Sequence, residues 1–146
     1  MIISSKTLRI SYGLIGLIAL VTTQIHALEY TSMGAINGTI TFWKDTLANS
    51  ATQFISIDIM FLALAVTIWM LMEARRLNIS IGWVYILVGT FIGISFAIPL
   101  FLIHREIVMN KTYEQNTKAG YLNAIDVICI IGSAAFAVIY TYLTFK

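Results

Sequence analysis

No formally charged residue occurs between positions 77 and 104 of this chain. A helix needs roughly 20 apolar residues to cross the hydrocarbon core of a bilayer, and this stretch exceeds that length. Four apolar runs of spanning length can be marked out, at 10–28, 54–72, 81–103 and 122–145. Only 11% of the residues are charged and 59% are hydrophobic, against about 25% charged in an ordinary soluble domain. The expected solvent is therefore a bilayer.

Backbone in hydrocarbon must satisfy its own hydrogen bonds, and four spans of this length do not close a barrel, so each run is expected to be helical. The fold class expected is an all-α membrane protein, a four-transmembrane-helix antiparallel bundle forming one membrane domain over residues 1–146. Ile40, Trp43 and Leu47 share one face of a helical pattern between the first two spans. That pattern predicts a short interfacial helix with Trp43 at headgroup depth. Lys6 and Arg9 precede the first run as in a cleavable signal. A cut after Ala27 would put Ile25 where a small residue is usual, so the run is read as a retained helix.

Gly82, Gly89, Gly93 and Ala97 mark the third span as small-faced, with Gly89 and Gly93 in G-x-x-x-G spacing that lets a neighbouring backbone approach. Pro99 predicts a kink around Ser95. In the fourth span Asn123, Asp126, Ile130, Ser133, Ala137, Tyr140 and Thr144 fall on one face, which is expected to look inward. Cys129, the lone cysteine, has no partner for an internal disulfide and reads as packing.

The net charge of +2 is spread along the chain and argues against nucleic acid or a polybasic lipid-binding tail. With both termini inside, Lys6, Arg9, Arg75, Arg76 and Lys146 face the cytoplasm. Lys44, Arg105, Lys111 and Lys118 then face outward, which leaves a narrow bias under the positive-inside rule. Glu73 is spaced for an i,i+3 pair with Arg76, worth a few tenths of a kcal/mol. Anchoring is reason enough for those charges, and no site is read there.

The antiparallel order gathers polar groups at the opposite end. Gln24, His26 and Glu29 close the first span, and Asp58 opens the second. His104, Arg105 and Glu106 close the third, and Asn123 and Asp126 open the fourth. Asp58 and Asp126 each lie about 6 Å inside their helices, level with one another. Asp58, Asp126, Arg105, Glu106, His104, His26 and Asn123 are the candidate binding or proton-donor cluster, with Asp58 and Arg105 expected to pair. Intramembrane acids act as proton donors, ion sites or headgroup anchors. Headgroup water, helix dipoles and an ion pair with Arg105 account for the same residues structurally. No metal-ligand spacing or cofactor motif is present, and no serine or cysteine is set beside a base for nucleophilic catalysis.

The middle of the chain resembles an uncharacterised family of small bacterial membrane proteins, a domain of unknown function. The resemblance rests on Phe42-Trp43, Leu47-Ala48-Asn49, Phe54, Asp58, Glu73, Arg75-Arg76-Leu77, Trp83, the run from Gly93 to Leu102, and Arg105-Glu106. It covers about residues 10–106 and omits Asp126. It implies a bacterial inner-membrane protein and supplies no activity. The expected function is a non-enzymatic membrane component or a binder of a lipophilic molecule. Membrane lipids, a lipophilic ligand or a larger membrane complex are its expected partners. The alternative is a membrane-embedded acid–base enzyme on an isoprenoid-like substrate, in the manner of small terpene cyclases, an analogy of architecture.

Overall fold

The structure, a computed structural model, describes residues 4–112 together with Ile128 and Ile131. Five helices follow in order: α1 (Ser5–Thr31), α2 (Ala35–Asp45), α3 (Ser50–Arg76), α4 (Gly82–Phe91) and α5 (Ile94–Thr112). No strand occurs among the described residues. The expected fourth span, with Asn123, Asp126 and Cys129, lies outside them.

Two helices, α1 and α3, are long and apolar enough to cross a membrane. Each has 27 residues, or about 40 Å at 1.5 Å per residue, against a hydrocarbon core of about 30 Å. Local chemistry sets their ends. The Ser4 hydroxyl accepts from the Thr7 amide at the start of α1. Asn49 and Thr52 form a reciprocal capping box on α3, satisfying donors that have no partner in the first turn. At its far end α3 passes through Asn78 at φ +54°, a left-handed position that asparagine tolerates. A short helix, α2, lies between α1 and α3 where an interfacial one is expected, and Leu47 falls beyond its end.

The expected third span is not one helix. It stops at Phe91, reverses at Ile92 and Gly93, and returns as α5. A Cβ built on Gly89 would lie 3.4 Å from that of Ala97. Tyr85 meets Phe101 edge-on at 5.6 Å and bonds His104 at 2.8 Å. An unbroken helix would hold Tyr85 and His104 about 28 Å apart. The break thus falls at glycine, not near Ser95 as Pro99 suggested, and α5 runs through Pro99.

Gly93 has φ +156°, which residues with a Cβ rarely adopt. A Cβ there would meet nothing nearer than Ser95 Oγ at 3.8 Å, so backbone conformation, not space, calls for glycine. Ending α4 leaves the Ile92 carbonyl without a helical acceptor role, and the Gln24 amide of α1 donates to it at 2.8 Å. A backbone carbonyl left outside the helical ladder is satisfied by such a side-chain donor. Gly93→Leu is expected to lower stability by about 1–3 kcal/mol, and Ile92→Leu, which keeps volume, by less than about 1.5 kcal/mol. Thermal aggregation of the two detergent-solubilised variants reports the difference.

The hairpin lies between α1 and α3. α5 runs antiparallel to α1, pinned by Asn110 Nδ2 donating to Ser5 Oγ at 2.6 Å. Midway, a Cβ on Gly16 would sit 3.1 Å from Pro99 Cβ, so the smallest side chain permits that approach. On the other flank the buried core comprises Met70, Ala74, Ile79 and Phe101, with Tyr85, Ile98 and Val108 packed against it. Elsewhere α1 and α3 expose large apolar side chains, among them Leu28, Phe61 and Leu64.

Candidate functional site

Because α5 turns back, its charged segment returns to the end where α3 finishes. Glu73, in the last turn of α3, is 8% exposed, a burial that a carboxylate sustains only when paired. Arg76 grips it with two contacts, Nε to Oε2 at 2.7 Å and Nη2 to Oε1 at 2.6 Å. Arg105 donates from Nε to Oε1 of the same carboxylate at 2.7 Å, and from Nη1 to Glu106 at 3.3 Å. The two arginines and two carboxylates balance in charge. Arg105 and Glu106 are largely sheltered, while the Arg76 side chain is 56% exposed. This is a clamp between helices: one carboxylate ties α3 to a helix whose arginine is 32 residues further along the chain.

Directly above it, the Tyr85 hydroxyl and His104 Nδ1 bridge the two arms of the hairpin, and Tyr85 and Trp69 both pack edge-on against Phe101. The ionic clamp therefore rests on an aromatic layer that keeps the arms in register.

Of the residues singled out in the sequence, Arg105, Glu106 and His104 come together here. Asp58 does not join them. It lies fifteen residues before Glu73 on α3, or about 22 Å along the helix. The expected Asp58–Arg105 pair is therefore corrected to Glu73–Arg105, because the turn at Gly93 returns Arg105 to the end it was expected to leave. His26, on the last turns of α1, is likewise at the far end. Asn123 and Asp126 lie outside the described residues. Glu73, read in sequence as one half of a local pair, is the hub of the cluster.

At the far end the hairpin stops short, and a cavity of about 870 Å³ opens between α1, α2, α3 and the turn. Ala27, Gly38, Ala63, Thr67, Gly89 and Thr90 are among its walls. A smaller cavity lies between α2 and the start of α3, beside the bond from the Tyr30 hydroxyl to Asp45. Asp58 is exposed and lines neither. No group of three or more His, Cys, Asp or Glu able to hold a metal occurs among the described residues.

Among the described residues, fold and clamp together define an all-helical arrangement with two membrane-length helices and a helical pair fixed between them by buried charge. The chain belongs to a family described as protein of unknown function DUF2834, whose model matches residues 11–107. All four clamp residues fall within the match. No curated protein and no solved structure matches the chain.

Proposed function

We propose that the protein is a non-enzymatic, multi-pass component of a bacterial inner membrane, with its N-terminus and the Glu73–Arg105 clamp on the cytoplasmic side. The observation that carries this reading is the clamp itself: a nearly buried carboxylate spent wholly on two arginines, which holds a hairpin in place. Three charge-assisted hydrogen bonds from two arginines hold that carboxylate in its ionised form, which suits a structural task. The exposed apolar surface of α1 and α3 supports a lipid environment, since soluble proteins rarely expose contiguous apolar area on that scale. Asp58, the acid that an acid–base reading would use, lines neither cavity, and Asp45, which lines the smaller one, accepts the Tyr30 hydroxyl.

Charge supports the orientation. The reversal at Gly93 places Lys6, Arg9, Arg75, Arg76, Arg105 and Lys111 at one end and, among the described residues, Lys44 alone at the other. Six against one is a strong positive-inside signal, where a straight third span left the two sides nearly even. In a Cys129→Ser background, a cysteine at Asn37 is expected to react with an impermeant thiol reagent in intact cells. Cysteines at Asn78 and Lys111 are expected to react only after the cells are opened. Labelling of Lys111→Cys from outside, with Asn78→Cys protected, would restore a straight third span and overturn the reading.

A further inference from the structure

We propose that the basic end of the molecule, around the start of α1 and the ends of α3 and α5, binds the anionic phospholipid headgroups of the leaflet it adjoins. The inference rests on the membrane reading above and adds a partner to it. The chain's modest net charge conceals a strong separation. Among the described residues the basic end holds six cations and two carboxylates, Glu73 and Glu106, and the far end holds Lys44 against Glu29, Asp45 and Asp58. The ends therefore differ as +4 and −2.

Both carboxylates of the basic end are engaged by Arg76 and Arg105. Lys6, Arg9, Arg75 and Lys111 have no carboxylate partner among the described residues, and Lys6, Arg75 and Lys111 are exposed. These cations form one arc. The Asn110–Ser5 bond sets the end of α5 beside the start of α1, and the Glu73–Arg105 pair ties α5, two turns before its end, to the last turn of α3.

Helix dipoles account for only part of the arc. Arg75, Arg76 and Lys111 stand at helix C-termini, where a cation is favoured. Lys6 stands in the first turn of α1, which holds no acidic residue, and there a cation is disfavoured. An external anion at this level offsets that repulsion. Each Lys or Arg near an anionic leaflet is worth about 1 kcal/mol of attraction, falling off within a Debye length. Phosphate-bearing lipid is the anion that lies at this depth all round the molecule.

Two native tryptophans suit the test. Trp83 is exposed in the first turn of α4 at the basic end, and Trp43 is exposed on α2 at the other. The full-length protein is reconstituted as Trp43→Phe/Trp69→Phe or as Trp69→Phe/Trp83→Phe, in vesicles of phosphatidylcholine containing brominated phosphatidylglycerol or brominated phosphatidylcholine. Brominated phosphatidylglycerol is expected to show a relative association constant at Trp83 about twofold or more above that of brominated phosphatidylcholine. The excess should shrink in high salt and vanish in Lys6→Gln/Arg75→Gln/Lys111→Gln, while Trp43 shows none. The same salt series on the protein with all three tryptophans covers the case in which a tryptophan variant fails to fold. Equal quenching by the two lipids at Trp83, or an equal excess at Trp43, would overturn the inference and leave the membrane reading standing. Absence of quenching by either lipid at both tryptophans would overturn both.

Discussion

Glu73→Gln is expected to lower the stability of the protein by about 3 kcal/mol, the low end of the range for removing one partner of a buried ion pair. The low end applies because Arg105 retains Glu106 and Arg76 can turn to water. Arg105→Gln should cost a comparable amount, since it strands Glu106 and removes one of the three hydrogen bonds to the Glu73 carboxylate. Arg76→Gln should cost less than about 1 kcal/mol, because that side chain is more than half exposed and its contribution is that of a surface pair. In the double variant Glu73→Gln/Arg105→Gln the losses should not add, with a coupling of about 1 kcal/mol or more. Reversible unfolding in mixed micelles titrated with sodium dodecyl sulfate measures all four. Additivity of Glu73 and Arg105, or a coupling of Arg105 to Asp58 in place of Glu73, would dismantle the clamp.

Phe101→Ala should be the costliest truncation on the hairpin, about 3–5 kcal/mol. Phe101 is fully buried and receives Trp69 from α3 and Tyr85 from α4 edge-on, so its loss leaves a void where both flanks of the hairpin meet. Phe61→Ala is the contrast. That ring is 69% exposed on α3 and leaves no void in the core when removed, so truncation should cost less than about 1 kcal/mol. Similar losses at the two positions in the same unfolding assay would mean that Phe101 faces lipid and that α5 is not packed as described.

The helical class, the two long apolar helices and the short helix between them were legible because each is written locally. Apolar length marks α1 and α3, and the alternation around Trp43 marks an amphipathic helix. The hairpin was not legible by the same means. Hydropathy counts apolar residues and is blind to a change of direction, so residues 81–103 fit one span as well as they fit two short arms. Two signals pointed to it. The charge-free stretch is 28 residues from 77 to 104, well beyond what one crossing needs, and Gly93 stands near its middle. Misplacing the turn misplaced everything after it. A straight span puts Arg105, Glu106 and His104 at the end of Asp58 and gives Glu73 only a partner three residues away, whereas its second lies 32 residues further along. The site is a tertiary fact, and only the reversal at Gly93 makes it one.

A disulfide tests that reversal directly. Gly89 and Ala97 face one another across the hairpin with Cβ positions 3.4 Å apart, close to the separation of about 3.8 Å found in disulfides. In a single unbroken helix the same residues would be about 12 Å apart along the axis, beyond the reach of any disulfide. In the Cys129→Ser background, Gly89→Cys/Ala97→Cys is expected to close an intramolecular bond on mild oxidation in the membrane, read by mass spectrometry as the loss of both free thiols within one chain. Two thiols that remain free under oxidation, in a protein that still folds, would contradict the hairpin and with it the clamp and the orientation built upon it.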